Sequence, residues 1–185
     1  MKHHCQSLIQ RADHGEELRF ILFWGHTENP GRVTKACLSQ WYPCRFEIEG
    51  IAYCCTEQYM MAQKAVLFGD RETYERIMES DQPKEIKALG REIRGFDQDK
   101  WDEYKYQIVL KGNIAKFSQN EPLKEFLLGT GDAVLAEASP YDRIWGIHLA
   151  MDNPLAMDLR SWQGENLLGF ALMETRDYLN ALDLR

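Results

Sequence analysis

From Thr56 onward apolar residues recur with helical spacing, and an acid and an amine fall on the same stripe. Positions 57, 61, 64, 65 and 68 line up because seven residues turn through about 700° at about 100° each. Met61, Ala65 and Phe68 make that stripe apolar, while Glu57 and Lys64 interrupt it. A charge facing a core is costly unless paired or solvated, so the two are consistent with a pocket wall carrying a carboxylate and an amine. Such groups can do general acid/base or nucleophilic work. The alternative needs no chemistry: Glu57 sits in the dipole-favoured first turn, and Lys64 snorkels to solvent.

Asp142 and Trp145 form a second combination, just past the break at Ser139-Pro140, and Gly146 leaves the backbone accessible beside the indole. An acid and an aromatic plate at a strand end suit a site that stacks a base and stabilises a sugar cation. Equally, Asp142 can close a turn with the following backbone, and Trp145 can belong to the core. Trp24, Trp41, Trp101 and Trp162 complete five tryptophans, for which packing is the ordinary explanation. Arg91, Lys116 and Arg143 can bind phosphate, the arginines through a planar fork and the lysine as a point charge, and each is equally an ordinary surface charge. Walker loop, dinucleotide glycine fingerprint, zinc-type spacing and serine-nucleophile elbow are all missing, so no cofactor and no metal are expected.

Several elements must position these residues. Phe20 to Trp24 is a short apolar run that ends at Gly25 and predicts a buried strand, followed by a loop through Asn29-Pro30-Gly31. Phe46-Glu47-Ile48 and Ile51-Ala52-Tyr53 flank Glu49-Gly50 and predict a hairpin. Thr56 is a good N-cap for a helix that stops at Gly69; Asp70 caps a second helix to Ser80, and Asp81 with Pro83 starts a third that ends at Gly90. Asp97 to Ser118 is the longest helix, with Trp101, Tyr104, Ile108, Ile114 and Phe117 on its apolar face and Gly112 weakening its continuity. A short helix over 120–128, a strand over 133–138 and a closing helix over 166–182 complete the pattern. The class is mainly α (α+β at most): a single compact helical domain with a small β-hairpin or sheet element.

With 44% hydrophobic and 28% charged residues and no bilayer-length apolar run, the chain has the balance of a soluble globular protein. The start, Met1-Lys2-His3-His4-Cys5, lacks the apolar core of a secretory signal, and His3, His4 and Cys5 are expected in an unstructured end. Residues 1–18 are expected to be a partly flexible extension, with the domain over 19–185. Five cysteines without metal-type spacing suit reduced thiols in a cytoplasm; Cys54 and Cys55 would point to opposite faces if they lie in a strand. A net charge of −7 argues against general duplex binding. Between Lys84 and Lys116, eight Lys or Arg stand against six Asp or Glu, so the rest of the chain carries −9. A local basic patch is left open beside a solvated mixed-charge face.

Read in order, the motifs resemble the NADAR (YbiA-like) family. They are 38–44 (Leu-Ser-Gln-Trp-Tyr-Pro-Cys), 56–65 (Thr-Glu-Gln-Tyr-Met-Met-Ala-Gln-Lys-Ala), Leu89-Gly90-Arg91, Trp101, Ala115-Lys116-Phe117 and the run from Leu123 to Leu128. Then come Glu137 to Gly146 around Ser139-Pro140-Tyr141-Asp142, Trp162 to Gly169 around Gly164-Glu165-Asn166, and Ala171-Leu172-Met173, so the match covers about residues 20 to 180. Two features depart from the family pattern: Ser39-Gln40-Trp41 replaces the usual Ser-Asn-Phe, and the stretch from Gly25 to Cys37 is longer and less regular. Gln40 moves the amide outward by one methylene, and Trp41 enlarges the wall.

The resemblance implies a hydrolase for the N-glycosidic bond of a ribosylated base, with removal of ADP-ribose from guanine in a nucleotide or nucleic acid as the first expectation. Cleavage of ribosylaminopyrimidine phosphate intermediates of riboflavin synthesis is the alternative, and a non-catalytic ADP-ribose or nucleotide-binding module is the alternative of another class. It further implies Glu57, Lys64 and Asp142 as catalytic residues. Trp24, Ser39, Gln40, Gln63, Arg91, Trp101, Lys116, Arg143, Trp145, Gly146 and Asn166 are implied as substrate-binding residues. The implied partners are an ADP-ribosylated or phosphoribosylated small molecule or a modified nucleic acid held by local contacts, no membrane, and functional pairing with an ADP-ribosyltransferase.

N-glycoside cleavage passes through an oxocarbenium-like state, so the leaving base must be held or protonated, the cation shielded and water delivered. In one route Glu57 or Asp142 is the general acid/base and the other carboxylate stabilises the cation. In a second, Lys64 intercepts a ring-opened imine as a Schiff base, its pKa lowered by burial. Lys64 leans back toward Glu57, which lies about 10 Å earlier along the helix axis.

Overall fold

The structure, a computed structural model describing residues 1–183, has seven α-helices and four short strands among those residues. The helices are α1 (Cys5–Asp13), α2 (Thr56–Phe68), α3 (Arg71–Glu79), α4 (Pro83–Glu92), α5 (Gln98–Ser118), α6 (Glu121–Gly129) and α7 (Leu167–Asp183). The strands are β1 (Phe20–Phe23), β2 (Phe46–Ile48), β3 (Ile51–Tyr53) and β4 (Val134–Glu137). This is the mainly helical class with small β elements that the periodicity predicts. No described helix is long and apolar enough to cross a membrane. The chain divides into two units, Gln40–Glu121 and Met1–Ser39 with the residues from Pro122 onward.

In the Gln40–Glu121 unit, α2 is packed by α3, α4 and α5. Every residue from Thr56 to Ala62 is buried, so the first two turns of α2 are enclosed all round, where the sequence predicts one buried stripe. Glycines on the neighbours make room. A Cβ at Gly112 of α5 would stand 2.7 Å from the Tyr59 ring, and one at Gly90 of α4 would collide with the Met61 thioether. Gly90 is therefore a packing residue rather than a stop, and α4 runs through it to Glu92. The buried stripe of α5 also differs from the predicted one: Tyr104 is exposed, and Lys105, Val109, Gly112, Asn113 and Lys116 face inward. Apolar periodicity cannot find a buried face that is partly lysine and asparagine.

The cap of α3 is as predicted, with Thr73 N–H donating to Asp70 at 3.2 Å, and Asp97, predicted as the start of the long helix, caps α5 by accepting from Lys100 N–H at 2.7 Å. Asp70 also accepts from the Arg94 guanidinium at 2.7 Å, and that arginine holds its carboxyl well below the usual carboxylate range. Helix α2 starts differently. Cys55 occupies the cap position without a side-chain bond, while Thr56 is the first helical residue and donates its hydroxyl to the Gln40 carbonyl at 3.1 Å. The predicted hairpin pairs β2 with β3, Phe46 opposite Tyr53, around Glu49 and Gly50 with φ of 55° and 80°. Two left-handed residues in succession make a type I′ turn.

In the other unit β1 and β4 pair in parallel, from Phe20 opposite Val134 to Phe23 opposite Glu137. Their hydrophobic runs predict strands but not this partnership. Val134, Leu135 and Ala136 are fully buried, and α7 lies directly on them: a Cβ at Gly169 would collide with the Leu135 carbonyl. Ala138, Ile147, Leu149 and Ala156 continue this core, with Trp162 packed on it and donating its indole N–H to the Ala156 carbonyl at 2.9 Å. The N-terminal end is helical where an unstructured end is expected. His4 caps α1 by accepting from Ser7 N–H at 3.1 Å, Leu8 is fully buried, and His3 lies 2.9 Å from Asp177.

Candidate active site

Glu57 stands in the first turn of α2 with only 3% of its surface exposed, its backbone N–H donating to the Gln40 carbonyl at 2.9 Å. The segment before α2 thus fixes the height of that turn. Helices α2 and α5 run antiparallel: Lys100 donates to the Leu67 carbonyl, the Lys64 ammonium lies 5.6 Å from the Trp101 ring, and Tyr59 packs on Gly112. Glu57 lies about 3 Å along the axis beyond Tyr59, and Lys116 about 6 Å beyond Gly112 in the same direction. The carboxylate and the lysine therefore occupy the same end of the pair, and Lys116 is fully buried. Its ammonium sits 5.6 Å from the Tyr42 ring and 5.2 Å from that of Phe117. The surface-charge alternative for Lys116 is excluded.

Two further polar groups are buried in the unit. Gln40 is 6% exposed; its amide N–H meets the Met60 sulfur at 3.4 Å, and its Oε1 has no hydrogen-bond donor. Asn113, one turn before Lys116, is fully buried; it donates to the Val109 carbonyl at 2.9 Å while its Oδ1 is unmatched. Asn113 is not among the residues the sequence singles out; its one signal there is the i, i+3 spacing from Lys116, which puts both on one helix face.

Lys64 is engaged by α4 and by aromatic rings rather than by Glu57. Its ammonium donates to the Gly90 carbonyl at 2.8 Å and lies 4.3 Å from the Phe96 ring centroid. Burial lowers its pKa, as a poorly solvated ammonium requires. Trp101 is 8% exposed beneath it. Gln63 is half-buried and bonds Tyr53, whose hydroxyl pKa is pushed up to about 12, chiefly by burial. Arg91 is exposed on α4.

The remaining candidates belong to the other unit. Asp142 forms the turn that was its alternative: its Oδ1 accepts from Ile144 N–H at 2.9 Å and Trp145 N–H at 2.7 Å. Gly146 is not an open backbone position. It is buried, and a Cβ there would lie 2.7 Å from the Glu137 carbonyl. Asn166 spends both ends of its amide on β4, accepting from Glu137 N–H at 3.0 Å and donating to the Leu135 carbonyl at 2.9 Å, and so braces the strand. Trp145 is half-buried and Arg143 exposed, while Ser39 ends the 3-10 turn Lys35–Leu38. Trp24 is 51% exposed, its ring 6.3 Å from that of Tyr141, which is 82% exposed. Parallel pairing puts the residues after β1 and after β4 at the same strand ends, where parallel sheets place ligands. Glu137, the last residue of β4, and Tyr141 lie inside the quoted 137–146 motif, yet sequence reasoning gave them no role.

The NADAR domain profile matches residues 22–180. The chain belongs to the NADAR family. N-glycosidase R617 of Acanthamoeba polyphaga mimivirus is 42% identical over 164 residues, which span 86% of this chain and 95% of that protein. The riboflavin biosynthesis protein VVA0006 of Vibrio vulnificus is 30% identical over 86% of this chain but only 38% of its own length. The NMR structure of the E. coli protein YbiA superposes with a TM-score of 0.74 over 95% of this chain and 94% of that one, at 27% identity. This NADAR protein is an N-glycosidase. The family's Glu57 and Lys64 segment corresponds here to α2, and its 137–146 motif to the end of β4 and the loop that follows.

Proposed function

We propose that this N-glycosidase removes ADP-ribose from guanine, in a nucleotide or a nucleic acid, with Glu57 as the working carboxylate. The observation that carries the assignment is the burial of Glu57 and Lys116 at one end of the α2–α5 pair. Water attacks the anomeric carbon as the C–N bond breaks; the bonding pair leaves with the base. Glu57 takes the proton from that water and passes it to the base nitrogen, and its charge offsets the oxocarbenium-like centre meanwhile. Lys116, buried at the same end of the α2–α5 pair, supplies a cation for an anionic substrate group. The orphan acceptors Gln40 Oε1 and Asn113 Oδ1 match N–H donors such as a purine carries.

The exposed Trp24 and Tyr141 rings support a purine substrate in their own right, since an open aromatic pair is a stacking surface for a base presented on a longer molecule. An ADP-ribosyltransferase is the class of enzyme that would make such a substrate. The name of the Vibrio vulnificus relative favours a second reading, ribosylaminopyrimidine phosphate. Purified protein incubated with ADP-ribosylated guanine nucleotide and oligonucleotide, and separately with the ribosylaminopyrimidine phosphate, decides between them by mass spectrometry of the products. Release of intact ADP-ribose with recovery of the unmodified guanine nucleotide or oligonucleotide is expected. Release from the aminopyrimidine alone transfers the assignment to the second reading, and tight binding without release makes the chain a binding module.

A further inference from the structure

We propose that Cys54 and Cys55 are a thiol pair that a hydroperoxide converts to an intramolecular disulfide, and that closing it disturbs the start of α2. As consecutive strand residues they would face apart, but β3 ends at Tyr53 and the chain turns into α2 through them. Their sulfurs come within 3.9 Å. Cys54 is half-buried on the wall of an open groove of about 580 Å³, beside Cys44, Arg45, Gln58 and Asp81. Cys55 is 1% exposed, so a small oxidant in the groove reaches Cys54 first.

The shared hydrogen bond favours the thiolate at Cys54, against burial and the negative charge of Asp81, and pushes the Cys55 thiol up. That division gives an attacking sulfur and a resolving one. Cys54 thiolate attacks a peroxide oxygen, the O–O bond breaks, and with hydrogen peroxide one water leaves behind a sulfenic acid. The Cys55 sulfur then attacks the Cys54 sulfur, and hydroxide leaves with the thiol proton as a second water. Two electrons pass from the thiols to the peroxide.

Closing the bond requires the sulfurs to approach by about 1.9 Å, to the usual S–S length. Adjacent Cα atoms stand about 3.8 Å apart, less than most disulfides span, so the ring is strained and easily reduced. Its strain falls on residues that organise α2. The Cys54 N–H donates to Gln58 Oε1 at 2.8 Å, and the Cys55 carbonyl accepts from Tyr59 N–H at 3.3 Å in the first helical turn. Glu57 lies in that turn, so a loss of activity on oxidation rests on its proposed role; the disulfide itself does not.

The test treats the reduced full chain with hydrogen peroxide and follows peptide masses, amide exchange over residues 56–60 and cleavage of ADP-ribosylated guanine nucleotide. The expected result is loss of two hydrogens in the peptide holding both cysteines, in a monomer, reversed by dithiothreitol. Exchange in the first turn should rise and activity fall about 10–100-fold. Cys54→Ser and Cys55→Ser should each keep the reduced activity and abolish the mass change. A sulfinic acid at Cys54, a bridge to Cys44 or a bridge between chains would overturn the pair; the disulfide with unchanged exchange would overturn the link to α2. Reduced protein inactive on every riboside would instead refute the proposed function, leaving the mass result to stand.

Discussion

Glu57 can be tested so that a structural role and a chemical one give opposite answers. If its charge offsets Lys116, which is 0% exposed at the same end of α2 and α5, then Glu57→Gln strands a buried cation. Breaking a buried pair costs about 3–5 kcal/mol. For a chain of this size each kcal/mol lowers Tm by about 2–4 °C, so the single variant should melt about 6–20 °C lower. Glu57→Gln combined with Lys116→Met removes both charges at similar volume and should recover most of that loss. Activity should not recover. A positioned acid/base group contributes about 10²–10⁴-fold, or about 2.7–5.4 kcal/mol of barrier. The double variant, assayed below its melting range with kcat and KM separated, should therefore stay down by at least about 10²-fold in kcat relative to Lys116→Met alone, which accounts for the loss of the lysine's own contact with substrate. Near-normal turnover in the double variant would refute the reasoning, because it would show Glu57 to be only a counter-charge.

Asp142→Asn should keep turnover within about threefold, since an amide oxygen can accept the same two N–H bonds, whereas Asp142→Ala should cost about 1–2 kcal/mol of stability by thermal melting. Borohydride added during turnover should leave no sugar mass on Lys64, whose ammonium is held by the Gly90 carbonyl; an adduct there would establish the imine route. Gly112→Ala should destabilise by about 1–3 kcal/mol because the new methyl meets a buried ring, while Gly90→Ala should cost less because the flexible Met61 can move. The Asp70 carboxyl is held below its unfolded value by Arg94, so its stabilisation is present above about pH 3.9 and disappears as pH falls through its folded value. Denaturant titrations from pH 6 downward should show that acid loss, and Asp70→Asn should remove it.

Local chemistry was written in the chain. Asp70 and Asp97 compete for backbone N–H groups as caps do, Glu49-Gly50 permits the left-handed turn, and alternation or helical recurrence places most elements. The ordered motifs also carried the family, hence the glycosidic bond. Tertiary structure decided what burial means for each polar residue. Asp142 and Asn166 look like site residues in sequence and act as braces in space: N–H groups two and three residues on claim the Asp142 oxygen in a local turn, while strand β4, far back along the chain, claims the Asn166 amide. Lys116 and Asn113 look like one polar face of a helix and are buried, because glycines on α4 and α5 let α2 sink among its neighbours until its first turns have no solvent side. Periodicity reports which residues share a face; only packing determines which faces are covered.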